Sequence, residues 1–353
     1  MTILLVAVAV AFAVSMGAHY TGACMGMPHA LGAVSSRAAL WIMAPLTLLG
    51  AALASHGVQH TVGFDLVTRP LTVVAAVIVL GVAFALTSLF NVLRIPSSTI
   101  QILVFSVAGA ALAGHAGVRW GTIVTLAVVW VIAPPVAAVV GFAATRALDR
   151  VPGIRPLTTV TGSAAAVAAA VPAVPAATDA ESATGAESGP ATLRGAAMVG
   201  VALTAVGAAA SFTLGANDVA HAAGPLAGTG TFTALTAGAV CGAGLAVGVL
   251  TWGRPLLRKV AFDIVTVDRP MATAAQLVQA VVVLCAVAFG LFTSMNQALV
   301  GAMAGAGMAR GRHAVKTASL YGILRGWLIG PAAGIAAAYL ITLAVGAAGV
   351  AVA

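Results

Sequence analysis

The stretch TLGANDVAHAAGPLAG, residues 213–228, places Asn217 and Asp218 side by side in a strongly apolar part of the chain. Among the 8 Asp and Glu residues of the chain, Asp218 is the one that we expect at membrane depth, because the others fall in or near loops. An ionisable group inside a membrane is costly and is usually functional or paired. We therefore expect a function at this pair.

The rest of the chain has the composition of a polytopic membrane protein. Its 353 residues are 61% hydrophobic and 7% charged, whereas soluble domains carry about 25% charged residues. The long apolar runs do not alternate with polar residues, as porin-type strands do, and they are rich in Ala, a strong helix former. We predict an all-α, multi-pass membrane protein with about 9–12 membrane segments, several of them short.

The net charge of +8 does not indicate a nucleic-acid partner. Arg and Lys are grouped in connecting loops, which is how basic residues flank membrane helices. The three cysteines, Cys24, Cys241 and Cys285, show no ligand spacing and are interpreted as small core residues. We expect the lipid bilayer of the cell (plasma) membrane as the surroundings, no nucleic acid, and no cofactor apart from a coupling ion.

One segment differs sharply in composition from the apolar runs. Residues 148–193 are dominated by Pro, Ala, Ser, Thr and Gly, which predicts a poorly ordered linker outside the bilayer. The linker separates a first membrane repeat, residues 1–147, from a second membrane repeat, residues 194–353.

The two parts of the chain repeat each other. GAHYTGACMGMPHALG, residues 17–32, aligns with GANDVAHAAGPLAGTG, residues 215–230. IPSSTIQILVFSVAGA, residues 95–110, aligns with LFTSMNQALVGAMAGA, residues 291–306, at nearly the same offset. Two matches at one offset indicate an internal duplication.

A duplicated membrane protein with short, Gly-interrupted segments at matching places is typical of secondary transporters built from inverted repeats. In such folds broken helices or re-entrant half-helices meet near the midplane and form the substrate site. We expect the aligned glycines to break the backbone here and to expose carbonyl oxygens: Gly17, Gly26, Gly215 and Gly224.

Asn217 and Asp218 form the predicted cation site. Amide, carboxylate and carbonyl oxygens are hard ligands suited to Na⁺, whereas a lone Asp can instead carry a proton. His221 would share a helix face with Asp218 and could relay protons, or it could simply be bonded within the bundle. The competing structural explanation is that Asp218 caps a half-helix.

A second group of polar residues begins at IPSSTIQ, residues 95–101. Pro followed by hydroxyl residues is a helix-start signal, and the start of a half-helix offers free N–H groups and a positive dipole to an anion. The repeat places similar donors in the second half, and ordinary capping is the alternative for either end alone. We predict that the two ends together hold a tetrahedral anion through Ser97, Ser98, Thr99, Gln101, Thr293, Ser294, Asn296 and Gln297.

At these residues the sequence resembles the inorganic phosphate transporter (PiT) family, whose members carry a GANDVANA-like motif in each half, followed by a PxSTTH-like motif. Residues 215–220 read GANDVA, and residues 96–99 read PSST. The resemblance covers both halves. It implies cation-coupled uptake of a tetrahedral anion, with the cation at Asn217 and Asp218 and the anion at Ser97, Ser98, Thr99, Thr293 and Ser294.

The sequence departs from the family pattern mainly in the first half, where His19 and Tyr20 replace the Asn-Asp pair. A half-site without Asn and Asp lacks its best Na⁺ ligands, so proton coupling through Asp218 competes with sodium coupling. A degenerate first motif also resembles the sulfate permeases of the same family. In the second motif the departures are Phe292 for Pro, Met295 for a hydroxyl residue, and Gln101 and Gln297 for His.

We expect a symporter for inorganic phosphate, with sulfate as the alternative substrate. Phosphate near neutral pH can donate a hydrogen bond to a carboxylate such as Asp218, whereas sulfate beside Asp218 makes a like-charge contact. A further alternative is a transport-dead membrane sensor or partner subunit. The grouped acids or nucleophile–base pair of an enzyme are not present, and faces of small residues permit a homodimer.

Overall fold

The computed structural model describes residues 1–93, 97–151, 190–257, 267–311 and 317–352. Over these ranges the chain is helical, and its only strand-like feature is an isolated bridge between Val67 and Val118. The predicted linker falls mostly on residues 152–189, outside the described residues. Its last residues belong to a helix that begins at Pro190.

The described elements follow one another in two comparable series. The first series is α1 (Thr2–His19), α2 (Met27–Ala30), α3 (Ser36–Ala54), α4 (His56–His60), α5 (Val73–Leu93), α6 (Thr99–Ala113) and α7 (Trp120–Leu148). The second series is α8 (Pro190–Gly228), α9 (Ala234–Trp252), α10 (Arg269–Ala288), α11 (Met295–Ala309) and α12 (Thr317–Ala347). Single π-helical turns occur at Gly22–Gly26 and Thr61–Asp65.

Within the described part of the chain, 8 helical spans are long and apolar enough to cross a membrane. Helices α6 and α11 have 15 residues each, which is too short for a full crossing. The spans and the two half-helices agree with the predicted number of segments. Only 28% of the most apolar window of α7 and 22% of that of α12 is buried, so these two helices form much of the surface that faces lipid.

The helix boundaries recur between the halves, as the duplication predicts. Helices α3 and α9 both have 19 residues and both begin after a capping hydroxyl residue, Ser35 and Thr233. Helices α6 and α11 begin after Ser98 and Ser294, the residues that the sequence alignment pairs. The alignment made from sequence is therefore also an alignment of helices.

Contacts between the halves are reciprocal. The half-helix α6 packs on α12 of the second half, and the half-helix α11 packs on α7 of the first half. Similarly, α3 packs on α8 and α9 packs on α1. Each contact recurs with the halves exchanged, which agrees with two repeats related by a two-fold axis.

The aligned glycines do not break the helices, and this prediction was wrong. Helix α8 continues through Gly215 and Gly224, and α1 contains Gly17. Gly26 ends the π turn and leads directly into α2. The backbone of α8 therefore frees no carbonyl oxygens at the positions where we expected unwinding.

The glycines serve close contact between helices of opposite halves. A Cβ atom on Gly215 would lie 1.9 Å from the carbonyl oxygen of Thr47, and one on Gly17 would lie 2.1 Å from that of Leu245. Side chains essentially never show Cβ contacts under 3.0 Å. Small residues are the usual means by which membrane helices approach each other's backbones, and this explains the aligned glycines without unwinding.

The first half does contain a local widening of the helix. After α1 the chain passes Tyr20 and forms the π turn Gly22–Gly26. Gln276 of α10 donates from Nε2 to the carbonyl oxygen of Ala23 at 3.2 Å and also to that of Cys24. Such π turns are frequent at functional sites.

An ion-pair cluster holds the C-terminal end of α11. Arg310 pairs with Asp149 at the end of α7 and, at 2.9 Å, with Asp268 at the start of α10. Burial on its own lowers the pKa of the Arg310 guanidinium, but the hydrogen bonds and charges of the two aspartates outweigh burial and raise this pKa. The cluster holds the end of α11 against both neighbours.

Candidate functional site

Both half-helices begin inside the protein. The predicted anion-binding residues at these starts are at most 8% exposed. Nδ2 of Asn296 donates to the carbonyl oxygen of Ser97 at 3.5 Å, which brings the two starts into contact. The first N–H groups of a helix lack intrahelical partners and carry the positive end of the helix dipole. The structure thus gathers the predicted residues Ser97, Ser98, Thr99, Gln101, Thr293, Ser294, Asn296 and Gln297 at two adjacent helix starts.

Many polar atoms at these starts have no hydrogen-bond partner among the described residues. They are the hydroxyl oxygens of Ser97, Ser98 and Thr293 and the amide oxygens of Gln101, Asn296 and Gln297. A buried polar group without a partner costs about 1–3 kcal/mol, so native proteins keep few of them. Their concentration at one place indicates a site that a polar ligand completes.

The serines that precede the two half-helices behave differently. Oγ of Ser294 accepts a hydrogen bond from the backbone N–H of Gln297 at 3.4 Å and so caps α11. Ser98 forms no side-chain cap, and its Oγ has no partner in the described part of the chain. Capping therefore accounts for Ser294 but not for Ser98. Pro96, which belongs to the same predicted start signal, lies outside the described residues.

Asn217 and Asp218 lie fully buried in the interior of α8. Nδ2 of Asn217 donates to Oδ2 of Asp218 at 3.0 Å and to the carbonyl oxygen of Thr293 at 3.0 Å. A position inside a continuous helix excludes the capping role that was considered for Asp218. Oδ1 of each residue has no partner in the described ranges, so the pair presents oxygen atoms beside the start of α11.

His221 lies on the same face of α8 as Asp218, as its spacing predicts. Its Nδ1 is 3.6 Å from Oδ1 of Asp218, which is longer than a hydrogen bond. The imidazole is fully buried, and its centroid lies 6.3 Å from that of the Phe292 ring. A proton relay through His221 stays a prediction.

At the matching first-half positions, His19 and Tyr20 are engaged by other side chains. The hydroxyl of Tyr20 and Oγ1 of Thr99 are hydrogen-bonded at 2.7 Å. Nδ1 of His19 pairs with Oδ1 of Asn91, and Nε2 of His19 is 3.2 Å from Nδ2 of Asn296. His19 therefore connects α5 of the first half with the start of α11 in the second half.

Three polar residues near the site were missed by the sequence reasoning: Asn91, Gln276 and Gln279. The two glutamines of α10 are fully buried, and Nε2 of Gln279 donates to the carbonyl oxygen of Met295 at 3.4 Å. Their amide oxygens have no partner among the described residues. Two glutamines three positions apart within an apolar span were the signal that could have identified them, because polar side chains in a span bond between helices.

Comparison with known proteins identifies the family. Residues 16–338 match the sequence profile of the Phosphate transporter family. A probable low-affinity inorganic phosphate transporter of Mycobacterium leprae is 28% identical over 335 residues, which cover 93% of this chain and 74% of that protein. A putative phosphate permease of Haemophilus influenzae is 34% identical over 136 residues, which cover 34% of this chain and only 32% of that protein.

A solved structure described as "The sodium-dependent phosphate transporter" shares the fold of this chain. The two superpose with a TM-score of 0.82 at 20% sequence identity, over 98% of this chain and 99% of the other. The fold is thus that of an all-α membrane transporter, as the apolar spans and the duplication predicted. Because the family profile covers most of its length, the chain belongs to the phosphate transporter family, a family of multi-pass membrane transporters and not of enzymes.

Proposed function

We propose that this chain is a secondary active symporter that takes up inorganic phosphate together with a cation, either H⁺ or Na⁺. One observation carries the proposal. Buried hydroxyl groups without partners among the described residues surround two adjacent helix starts, and the buried carboxylate of Asp218 stands beside one of them. Family membership and the names of the relatives support phosphate as the substrate.

The helix starts suit a tetrahedral anion. An anion that leaves water must recover its hydrogen bonds from the protein. The hydroxyls of Ser97, Ser98 and Thr293 and the first N–H groups of α6 and α11 offer such donors from two sides. Carboxamides such as that of Gln101 add donors when their NH₂ group faces the ligand.

The Asn217–Asp218 pair explains why anion binding would require a cation. Asn217 joins Asp218 to Thr293 at the start of α11 through hydrogen bonds of 3.0 Å. An unneutralised carboxylate this close to a bound anion raises the energy of the anion. A Na⁺ ion on Oδ1 of both residues, or a proton on Asp218, removes the repulsion. Because each ligand favours the binding of the other, the two are carried together.

The same geometry favours phosphate over sulfate. Near neutral pH phosphate retains a proton that it can donate to Asp218, whereas sulfate has none to give. Sulfate remains the second candidate, because proton or sodium binding at Asp218 would also relieve its repulsion. A sensor or partner subunit would bind the anion without carrying it across the membrane.

Uptake into proteoliposomes tests the proposal. Radiolabelled phosphate or sulfate is supplied outside, and a proton gradient or a sodium gradient is imposed in turn on native protein, Asp218→Asn and Asp65→Asn. Asp65 is a matched control, because its partly exposed carboxylate pairs with His60 and Arg119 away from the site. We expect gradient-driven phosphate uptake by native protein and by Asp65→Asn, and none by Asp218→Asn.

The other outcomes separate the candidates. Sulfate uptake without phosphate uptake would assign the protein to sulfate. Phosphate binding by folded native protein without flux would favour the sensor or subunit. Native uptake that Asp218→Asn retains in full would refute the coupling role of Asp218.

A further inference from the structure

His19 contacts Asn296 at the start of α11, and the inference drawn from this contact rests on the proposed function. We propose that His19 is a positioning residue: proton binding at its imidazole turns the carboxamide of Asn296, and this rotation couples proton binding to anion binding. His19 occupies the first-half position that matches Asn217. Asn296 lies at the start of α11, where it also contacts Ser97.

The observed contacts are those of a neutral imidazole. Nδ1–H of His19 donates to Oδ1 of Asn91, and the lone pair on Nε2 accepts from Nδ2 of Asn296 at 3.2 Å. Only the tautomer with its proton on Nδ1 satisfies both contacts. In this arrangement Oδ1 of Asn296 is buried without a partner among the described residues. Asn296 therefore offers an acceptor to a site that should bind an anion.

A proton taken from water onto the Nε2 lone pair reverses this arrangement. Nε2–H of His19 then faces an N–H of Asn296, and two donors cannot pair. Rotation of the carboxamide by half a turn lets Oδ1 of Asn296 accept from Nε2–H, gives up the hydrogen bond to the carbonyl oxygen of Ser97 and moves the NH₂ group to the place that the oxygen held. Asn296 then presents a donor to the anion, and the imidazolium adds a positive charge. Anion binding and proton binding thus favour each other.

The surroundings of His19 suit this role. His19 is only partly buried, whereas Asp218 and His221 are fully buried. Tyr20 contacts the His19 ring edge-on, with centroids 4.9 Å apart. Within their stated bounds the helices α5, α6 and α11 carry no Asp, Glu, Lys, Arg or His.

The other helices packed against α1 add few titratable groups. Helix α8 adds Asp218 and His221 near the site, and α9 adds Cys241. Arg94, which follows α5, lies outside the described residues. Asp218 is thus the only carboxylate on the described helices around the site, and it lies in the second half beside Thr293.

The test is phosphate binding to purified full-length protein by titration calorimetry at about pH 8 and about pH 5.5, on either side of the usual histidine range. The variants are His19→Gln, which keeps an amide but cannot titrate in this range, and the control His29→Gln. His29 bonds to the backbone of Val34 away from the site. Because phosphate itself changes charge with pH, the quantity compared is the ratio of the variant Kd to the native Kd at each pH.

We expect the ratio for His19→Gln to rise by about fivefold or more on acidification, and the ratio for His29→Gln to stay constant. Native protein should also take up more protons per phosphate bound than His19→Gln does, measured in buffers of different ionisation enthalpy. A pH-independent ratio with equal proton uptake would overturn the role of His19.

A second variant covers the case in which His19→Gln does not fold. Asn296→Ala keeps His19 and its charge but removes the carboxamide that it turns, so the pH-dependent part of the affinity and the extra proton uptake should both fall well below those of native protein. If Asn296→Ala retains both, the proposal is wrong. Absence of phosphate binding by native protein at either pH would instead overturn the proposed function itself.

Discussion

In the second half of the molecule, Asn217 and Asp218 each leave an oxygen without a partner in the described part of the chain, whereas in the first half the matching His19 and Tyr20 bond to neighbouring side chains. The helices that carry these residues pack in the same reciprocal way. The difference teaches that the two halves share the packing of the scaffold but not the polar contacts of the matching residues. Under the proposed function the second half supplies the oxygen ligands of the cation, whereas side-chain hydrogen bonds engage the matching residues of the first half.

Among substitutions at the matching positions of the two halves, we expect Asn217→Ala to have the largest effect on cation affinity. Asn217→Ala removes the hydrogen bonds to Asp218 and to the carbonyl of Thr293, one of which involves a charged group. The apparent affinity for the coupling cation should fall by about 100-fold, measured as the cation dependence of phosphate uptake. An unchanged cation affinity in folded protein would remove Asn217 from the cation site.

Packing should respond equally in both halves. A Cβ at Gly109 would lie 2.3 Å from the carbonyl oxygen of Ile335, and one at Gly305 would lie 1.8 Å from that of Ala138. We expect Gly109→Val and Gly305→Val each to destabilise the protein by about 1–3 kcal/mol. Thermal unfolding in detergent measures this effect.

Gly81→Ala is the control for the packing variants, because no atom lies within 4 Å of a Cβ at Gly81 in the described structure. It should be neutral or slightly stabilising, since Ala favours helix more than Gly does. If only one of the two Val variants were destabilised, the close helix contacts would not contribute equally to stability in the two halves.

Substitution of the two serines that precede the half-helices should distinguish a residue that caps a helix from a residue that binds the ligand. Ser294→Ala removes the cap on α11 and should cost about 1 kcal/mol of stability. Ser98→Ala removes no cap, so without ligand it should leave stability unchanged or slightly raised. Chemical denaturation of the two variants gives the comparison. Equal destabilisation would mean that Ser98 also serves as a structural cap.

The smallest effect is expected for Tyr20→Phe. This change removes the hydrogen bond of 2.7 Å to Thr99, which contributes about 1 kcal/mol. Because Asp218 keeps its hydrogen bond from Asn217 when the Tyr20 hydroxyl is lost, cation affinity should change by no more than about fivefold. An effect as large as that of Asn217→Ala in the same uptake measurement would place a second cation site beside Tyr20.

The sequence predicts the helix starts well, because their signals are local. The hydroxyl residues Ser98 and Ser294 precede the starts of α6 and α11. Because the repeat aligns these two serines, each predicted helix start supports the other. The burial of Asp218 also follows from the apolar residues around it. These features depend on residues that are close in the chain.

The role of the glycines and the contacts of His19 could not be predicted in the same way. A glycine at position 215 is compatible with an unwound backbone and also with close helix packing. The contact with Thr47, in the first half of the chain, shows that it serves close packing. The partners of His19 come from α5 and α11. Long-range packing decides both cases, and one sequence does not state which helices meet.

Phosphate binding by the variant Ser98→Ala/Thr293→Val tests the central claim most directly. The two hydroxyls are buried without partners among the described residues, and we predict that their joint loss weakens phosphate binding by about 100-fold in titration calorimetry. Thr145→Val is the matched control. The Thr145 hydroxyl is also buried without a partner among the described residues, but Thr145 lies near the C-terminal end of α7, which contacts the C-terminal end of α11 and not its start. Native affinity in the folded double variant would contradict the assignment of the two helix starts as the phosphate site.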